Sequence, residues 1–255
     1  MSDAAEVQPS ERPIIAFFDV DNTLLRGASA FHVGVGAFRK GIISVRDIAL
    51  FGWHQLRFLR VGENKEHLAV AKDKALGLAS GHTVKEVVEL ANEIYDRTIS
   101  RKLWPESVEL AREHLRLGHE VWLITATPQI VAQVIADRLG LTGALGTIVE
   151  EKDGVFTGGL VGSVMHGAHK AEAAGALALS MNANLADCWA YSDSSNDIPL
   201  LTLVGNRVVV NPDAELSRHA ATESWAVLQL KTASIRDARR RVRREAKAVR
   251  KQKRA

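Results

Sequence analysis

The stretch IIAFFDVDNTLLRG, Ile14 to Gly27, decides the fold. Its first five residues are apolar, too short a run for a surface helix and without the alternation of a half-buried strand. They predict a strand covered on both faces, as in a parallel sheet. The residues after it then lie at the carboxyl edge of that sheet, and they are acidic: Asp19 and Asp21 flank Val20, with Thr23 beyond. In an extended chain the three side chains would face one way. A turn just past the strand instead lets one side chain and one main-chain carbonyl address the same cation. One aspartate of such a pair can act as a nucleophile while its neighbour handles a proton. Spacing excludes a calcium loop, because Leu24 stands sixth where glycine is needed and Ala30 twelfth where a bidentate glutamate belongs. A plain turn stays open, since Asp and Asn favour turns.

Downstream, the pattern changes to helical spacing from Ala30 to about Arg101, broken at Gly41, Gly62 and ASGH at 79–82, which predicts a helical insert. PESVELAREHLRLG then reads as a helix with Pro105 in its first turn and Gly118 as its stop. It feeds a second buried strand, Val121 to Thr125, after which Thr127 and Pro128 read as N-cap and first residue of a helix ending at Gly140. Asp153-Gly154 sits between two β-rich pieces and predicts a hairpin outside this alternation. Next come a helix from Lys170 to about Asn182, a strand CWAYSD ending at Asp193, a short helix from Asp197 and a strand from Arg207 to Asn211. Strand and helix alternating in this order predict an α/β fold with a doubly wound, Rossmann-like parallel sheet. The expected division is a core of residues 1–27 and 102–230, a small helical segment 28–101 inserted after the first strand, and a tail 231–255.

A chain of 255 residues, 46% hydrophobic and 25% charged, can bury one large core or a core with a small insert. The lone cysteine, Cys188, rules out a disulfide framework and a thiolate zinc cluster. The first thirteen residues lack a basic start and an apolar run, and no uncharged apolar run approaches 18 residues, so a cytoplasmic protein is expected. The net charge of +3 is unevenly spread: residues 231–255 carry twelve Lys or Arg against Asp237 and Glu245, so the tail is +10 and the rest of the chain −7.

A second acidic loop, YSDSSNDIPLL, places Asp193 and Asp197 just past another apolar strand. It reads either as oxygen ligands completing a hard-cation site or as an N-cap cluster in which Ser195 or Asn196 caps the next helix. Between the two loops, Thr125 ends a strand and Lys170 opens a helix. A hydroxyl followed by free N–H groups at a helix start makes a phosphate cradle, and a lysine supplies a mobile charge for the same oxygens.

The order Asp19-x-Asp21-x-Thr23, then Thr125 after VWLI, then Lys170, then SDSSND at 192–197 resembles the four-motif signature of the haloacid dehalogenase superfamily of phosphatases. The likeness covers nearly the whole chain to about Leu230, the helical segment matching the cap inserted in those proteins, and its layout is that of the phosphoserine phosphatase-like branch. The resemblance implies a phosphomonoester phosphatase acting on a small metabolite. In it Asp19 attacks phosphorus to form an aspartyl phosphate, and Asp21 protonates the leaving alcohol and then activates water. It implies magnesium held by Asp19, the carbonyl of Asp21 and Asp193, with Asp197 behind them orienting Lys170 or a metal-bound water. Thr125 and the Ala126 N–H would bind the transferring phosphoryl group, Lys170 would balance its charge, and Thr23 and Asn196 match motif residues near it.

Ala28 stands where the serine-phosphate enzymes carry a glutamate for the substrate ammonium, and Ala126 and Thr127 replace a glycine pair. These changes bear on substrate rather than on reaction, since main-chain donors survive them. Arg26, Arg39, Arg46, Arg57, Arg60 and the histidines His32, His166 and His169 are the cations available to read a leaving group, while Trp53 and Phe58 read as cap core. Phosphoryl transfer to an acceptor other than water is the alternative chemistry. The basic tail, without interleaved aromatics, offers solvated charge or a foot on RNA, DNA or an anionic membrane surface.

Overall fold

The protein is described from a computed structural model covering residues 12–40 and 80–252. Six strands form one sheet: β1 (Ile15–Phe18), β2 (Glu120–Pro128), β3 (Gly143–Thr147), β6 (Trp189–Ser192), β7 (Asn206–Val210) and β8 (Ala226–Leu228). Their order is β3-β2-β1-β6-β7-β8 and every pairing is parallel. The chain starts at the centre, winds outward through β2 and β3, then returns to the other side of β1 and winds out through β6, β7 and β8. The point where this winding reverses lies between β1 and β6, and open sheets of this kind take their ligands at the carboxyl ends of such a pair. The opening stretch behaves as its composition requires. Ala16 and Phe18 belong to one buried cluster and Ile15 and Phe17 to another, so both faces of β1 are covered by apolar side chains.

Helix α3 (Pro105–Arg116) carries Pro105 in its first turn, and α4 (Gln129–Leu139) ends at Gly140 in the left-handed conformation, φ 70°. The start of α4 differs from the expectation. β2 runs on to Pro128, which pairs with Thr147, so Pro128 is the N-cap and Thr127 lies in the strand. The Thr127 hydroxyl is thereby freed to bond with Ser29 and Thr125. The hairpin forms as expected from β4 (Val149–Lys152) and β5 (Val155–Leu160), with Asp153 at φ 53° and Gly154 at φ 77°, the two left-handed residues of a tight hairpin turn. Helices α5 (Ala168–Ser180) and α6 (Ile198–Leu203) flank β6, and α7 (Ala214–Thr222) precedes the edge strand β8.

Between β1 and α3 stand α1 (Ser29–Arg39) and α2 (Val84–Arg97). A reciprocal capping box between Thr83 and Glu86 starts α2. Its buried face, with Leu90, Ile94 and Tyr95, joins the cluster that holds Phe18 and Val131, while Arg138 of α4 pairs with Asp96 and lies over the Tyr95 ring. The two helices approach closely at Gly36, where an added Cβ would stand 2.4 Å from the Ile94 side chain. Arg46, Arg57, Arg60, Trp53 and Phe58 lie outside the described residues. Helix α8 (Thr232–Gln252) begins against α3, through buried Ile235 and a hydrogen bond from Ser234 to Glu106 at 3.1 Å. Among the described residues no helix is long and apolar enough to cross a membrane.

Candidate active site

At the end of β1 the Asp19 N–H still donates to the Tyr191 carbonyl of β6 (2.9 Å), so the carboxylate starts from the rigid sheet edge at the reversal point. The chain then turns back on itself. Leu24 and Leu25 donate to the Val20 carbonyl, and Asn22 adopts the left-handed conformation, φ 57°, that its side chain tolerates. The Asn22 side chain accepts from the Gly27 N–H at 3.0 Å, closing the turn.

Lys170, in the first turn of α5, reaches across to this edge. Its Nζ donates to Asp19 Oδ1 at 2.6 Å and to Asp197 Oδ2 at 2.6 Å. All three residues are at most 5% exposed. Ser192 adds a hydrogen bond to Asp197 Oδ2 at 2.7 Å. Burial disfavours the Lys170 charge, but the two carboxylates outweigh it and hold the ammonium protonated above its ordinary range. Burial pushes the Asp19 carboxyl up, against the pull of Lys170, and Asp197, Asp21 and Asp193 push it the same way.

Asp193 follows β6. Burial pushes its carboxyl up to about 6, against a hydrogen bond from the Asn22 side chain. Thr23, expected among the phosphate contacts, has no exposed surface and donates to Asp193 Oδ1 at 3.4 Å, so it orients that carboxylate instead. The loop 193–197 is tied down by Asp213, the N-cap of α7, whose carboxylate accepts from the Ser195 N–H (2.7 Å) and whose own N–H donates to the Asp193 carbonyl (2.9 Å). Asn196 is exposed and its side chain donates to Ser194 within its own loop, at 3.2 Å, rather than to the buried cluster.

Asp21 is held differently. Its Oδ1 accepts from the Ser29 N–H at 2.8 Å and from the Ser29 hydroxyl. Ser29 in turn bonds to the Thr127 hydroxyl, which accepts from Thr125 at 3.2 Å. β2 leaves its register with β3 between Ile124 and Pro128, and β1 has already ended opposite Leu123. Thr125, Ala126 and Thr127 therefore stand outside both ladders, with Ala126 exposed. Sequence marks none of Ser29, Thr127, Ser192 and Asp213 as a site residue: Thr127 reads as a helix cap and Ser192 only as part of SDSSND. Of the other two, only Asp213 leaves a signal, an aspartate opening a helical run.

Four carboxylates, Asp19, Asp21, Asp193 and Asp197, gather around one ammonium. Such an excess of hard oxygen donors at a sheet edge fits a small divalent cation. Among the described residues no group of three or more His, Cys, Asp or Glu side chains has metal-binding geometry. An ion here would rest on Asp19, Asp193 and a main-chain carbonyl, with water completing its shell. Of the cations expected near a leaving group, His169 pairs with Glu172 at 3.0 Å, and burial lowers the pKa of His32, one turn beyond Ser29 on α1.

A family model of haloacid dehalogenase-like hydrolases matches residues 16–202. The chain is 47% identical over 226 residues to phosphoserine phosphatase SerB1 of Mycobacterium tuberculosis, across 88% of this chain and 73% of that one. With histidinol-phosphatase of Neisseria meningitidis serogroup C it shares 29% identity over 230 residues, across 85% and 99% of the two chains. A solved structure of a protein of unknown function from Bordetella pertussis Tohama I is similar, with a TM-score of 0.76 at 28% identity, covering 85% of this chain and 98% of that one. The chain therefore belongs to the haloacid dehalogenase-like hydrolase family, in its phosphoserine phosphatase-like branch of phosphatases.

Proposed function

We propose that the protein is a magnesium-dependent phosphatase that hydrolyses a small phosphomonoester through an aspartyl phosphate on Asp19. The observation that carries this reading is the buried Asp19–Lys170–Asp197 bridge at the carboxyl edge of β1. A surface salt bridge needs no such burial, and a purely structural pair has no reason to end the central strand where a ligand would sit. In the first step an Asp19 oxygen attacks phosphorus, the ester P–O bond breaks, and Asp21 delivers its proton to the departing oxygen. In the second, water attacks the aspartyl phosphate, its proton passes to Asp21, and the Asp19–phosphorus bond breaks to release inorganic phosphate. Lys170 steadies the Asp19 carboxylate and the charge on the transferring group, while Thr125 and the Ala126 N–H receive the phosphoryl oxygens. Asp19, Asp193 and the Asp21 carbonyl would hold magnesium, which would supply the positive charge that lets a carboxylate approach a phosphate dianion.

The segment 28–101 acts in this reading as the cap that meets the leaving group, and residues 1–27 with 102–230 as the core. Phosphoserine and histidinol phosphate are the first substrates to compare, since relatives bear both names while Ala28 lacks a carboxylate for a substrate ammonium. Phosphate release is measured on a panel of phosphomonoesters with magnesium, wild type beside Asp19→Asn. Turnover that disappears in the variant supports the covalent route, and its absence on every ester overturns the reading.

A second activity is favoured by the exposed arginines Arg236, Arg239, Arg240, Arg241 and Arg244 on α8, within a tail of +10. It is weak, salt-sensitive contact with an anionic polymer or surface. Replacing Arg239, Arg240 and Arg241 by glutamine should weaken retention of the full chain on single-stranded RNA at low salt and leave phosphate release unchanged.

A further inference from the structure

We infer that Ser29 is a positioning residue that fixes the carboxyl group of Asp21, a reading that rests on the phosphatase function proposed above. Helix α1 begins at Ser29, and the residue in front of it, Ala28, offers no side-chain oxygen to cap it. Asp21 fills that place from eight residues upstream, accepting the first N–H of the helix at 2.8 Å. The Ser29 hydroxyl donates to the same oxygen, Oδ1. Two donors on one carboxylate oxygen set both the position and the rotation of the group. Among the described residues Oδ2 receives no side-chain or main-chain donor, and it is the oxygen left to face a leaving group.

The clamp is itself held. Ser29 is 0% and Thr127 3% exposed. A hydroxyl has a single proton, and Ser29 spends its own on Asp21, so the Thr127 hydroxyl must be the donor in the contact between them. Thr127 accepts in turn from Thr125. Three hydroxyls thus stand in line toward Asp21; if Thr125 turns its single proton to a phosphoryl oxygen, Thr127 and Ser29 still donate toward Asp21. The line joins β1, the first turn of α1 and the end of β2, so the first helix of the cap and the proton donor are set by one contact.

General acid catalysis is needed when the leaving oxygen is basic and is nearly dispensable when it is not. The test compares kcat/KM, which spans the steps through the first P–O cleavage, for the best alkyl phosphate of the panel and for p-nitrophenyl phosphate. Ser29→Ala should lower the alkyl value by roughly 10- to 100-fold and the p-nitrophenyl value by less than about 3-fold, with Ser29→Thr restoring most of the loss. An equal loss on both esters, or no loss on either, overturns the inference. Turnover that survives Asp19→Asn would instead overturn the covalent route through Asp19, and absence of turnover on every ester the phosphatase reading; either leaves the clamp to be judged by a second measurement. In urea unfolding of the full chain, Ser29→Ala, Asp21→Asn and the double variant form a cycle whose midpoint shifts should be non-additive. Additive shifts overturn the clamp whether or not any ester is turned over.

Discussion

Two pairs of carboxylates share the carboxyl edge of the sheet, and opposite means hold them. Asp19 and Asp197 share one ammonium in a site almost closed to water. Asp21 and Asp193 are held by neutral groups, the Ser29 hydroxyl and N–H for one and the Thr23 hydroxyl and Asn22 amide for the other. The difference fits what each pair does in the proposed reaction. There an ammonium at 2.6 Å offsets part of the burial that pushes the Asp19 carboxyl up, and it fixes the position of both carboxylates. A group that must give up and recover a proton would be disabled by so close a positive charge. Hydroxyl and amide donors orient such a group and leave its charge free to change.

The largest effect should come from the ionic pair. Asp19→Asn removes the proposed nucleophile and should reduce steady-state phosphate release at least about 10⁴-fold, while the urea midpoint moves little. Lys170→Met should cost activity by about 10³-fold and stability by about 3–5 kcal/mol, because Asp19 and Asp197 are then left buried together without a cation. A loss under about 1 kcal/mol in urea unfolding would mean that the pair is not buried as described. His114 of α3 gives a contrast in kind, a buried group that is stable only when uncharged. Burial, and then His119, lowers its pKa to about 4, and its ring bonds to the Tyr191 hydroxyl and to His119. The unfolded chain therefore takes up a proton near pH 6.5 that the folded one refuses until about pH 4. The stability it contributes is complete above the unfolded value and is lost as pH falls between the two, by about 2–3 kcal/mol. The raised carboxyls of Asp19 and Asp193 act in the opposite direction over this range, so the loss is read as the difference between wild type and His114→Gln in the change of urea midpoint from about pH 7 to about pH 4.5. The smallest effect is the second donor to Asp197: Ser192→Ala should cost about 1 kcal/mol and lower turnover by about 10-fold.

The opening strand, the hairpin turn and the boundaries of α3 were legible because each rests on local chemistry: an unbroken apolar run, an Asp-Gly pair, a proline and a glycine. Asp19, Asp193 and Asp197 were legible as candidates from their places after apolar runs and Lys170 from its place at the start of a helical run, although their meeting point depends on sheet order. The parts that stayed hidden depend on partners far along the chain. Ser29 meets Asp21 across eight residues and Thr127 across 98, and no local pattern marks either contact. Thr127 read as a helix cap because Thr-Pro before a helical run ordinarily is one. The pairing of Pro128 with Thr147 extended β2 and overrode that preference. Thr23 matches a motif residue expected near the phosphoryl group, but the loop's turn, closed by Asn22 and Gly27, directs it at Asp193. The edge strand β8 is three residues long and largely exposed, so burial left no mark on its composition.

Helix α8 gives the molecule an electrical polarity that its isoelectric point of 9.1 conceals. Its 21 residues span about 30 Å, and its first turn is fastened to the body through Ile235 and Ser234. The tail carries +10 and the remainder −7, so the chain behaves as a permanent dipole rather than as a uniformly basic particle. Such a charge distribution should let the chain bind cation and anion exchangers alike and should favour head-to-tail attraction between copies in dilute buffer. That attraction fades once the screening length falls to about 10 Å, near 0.1 M salt.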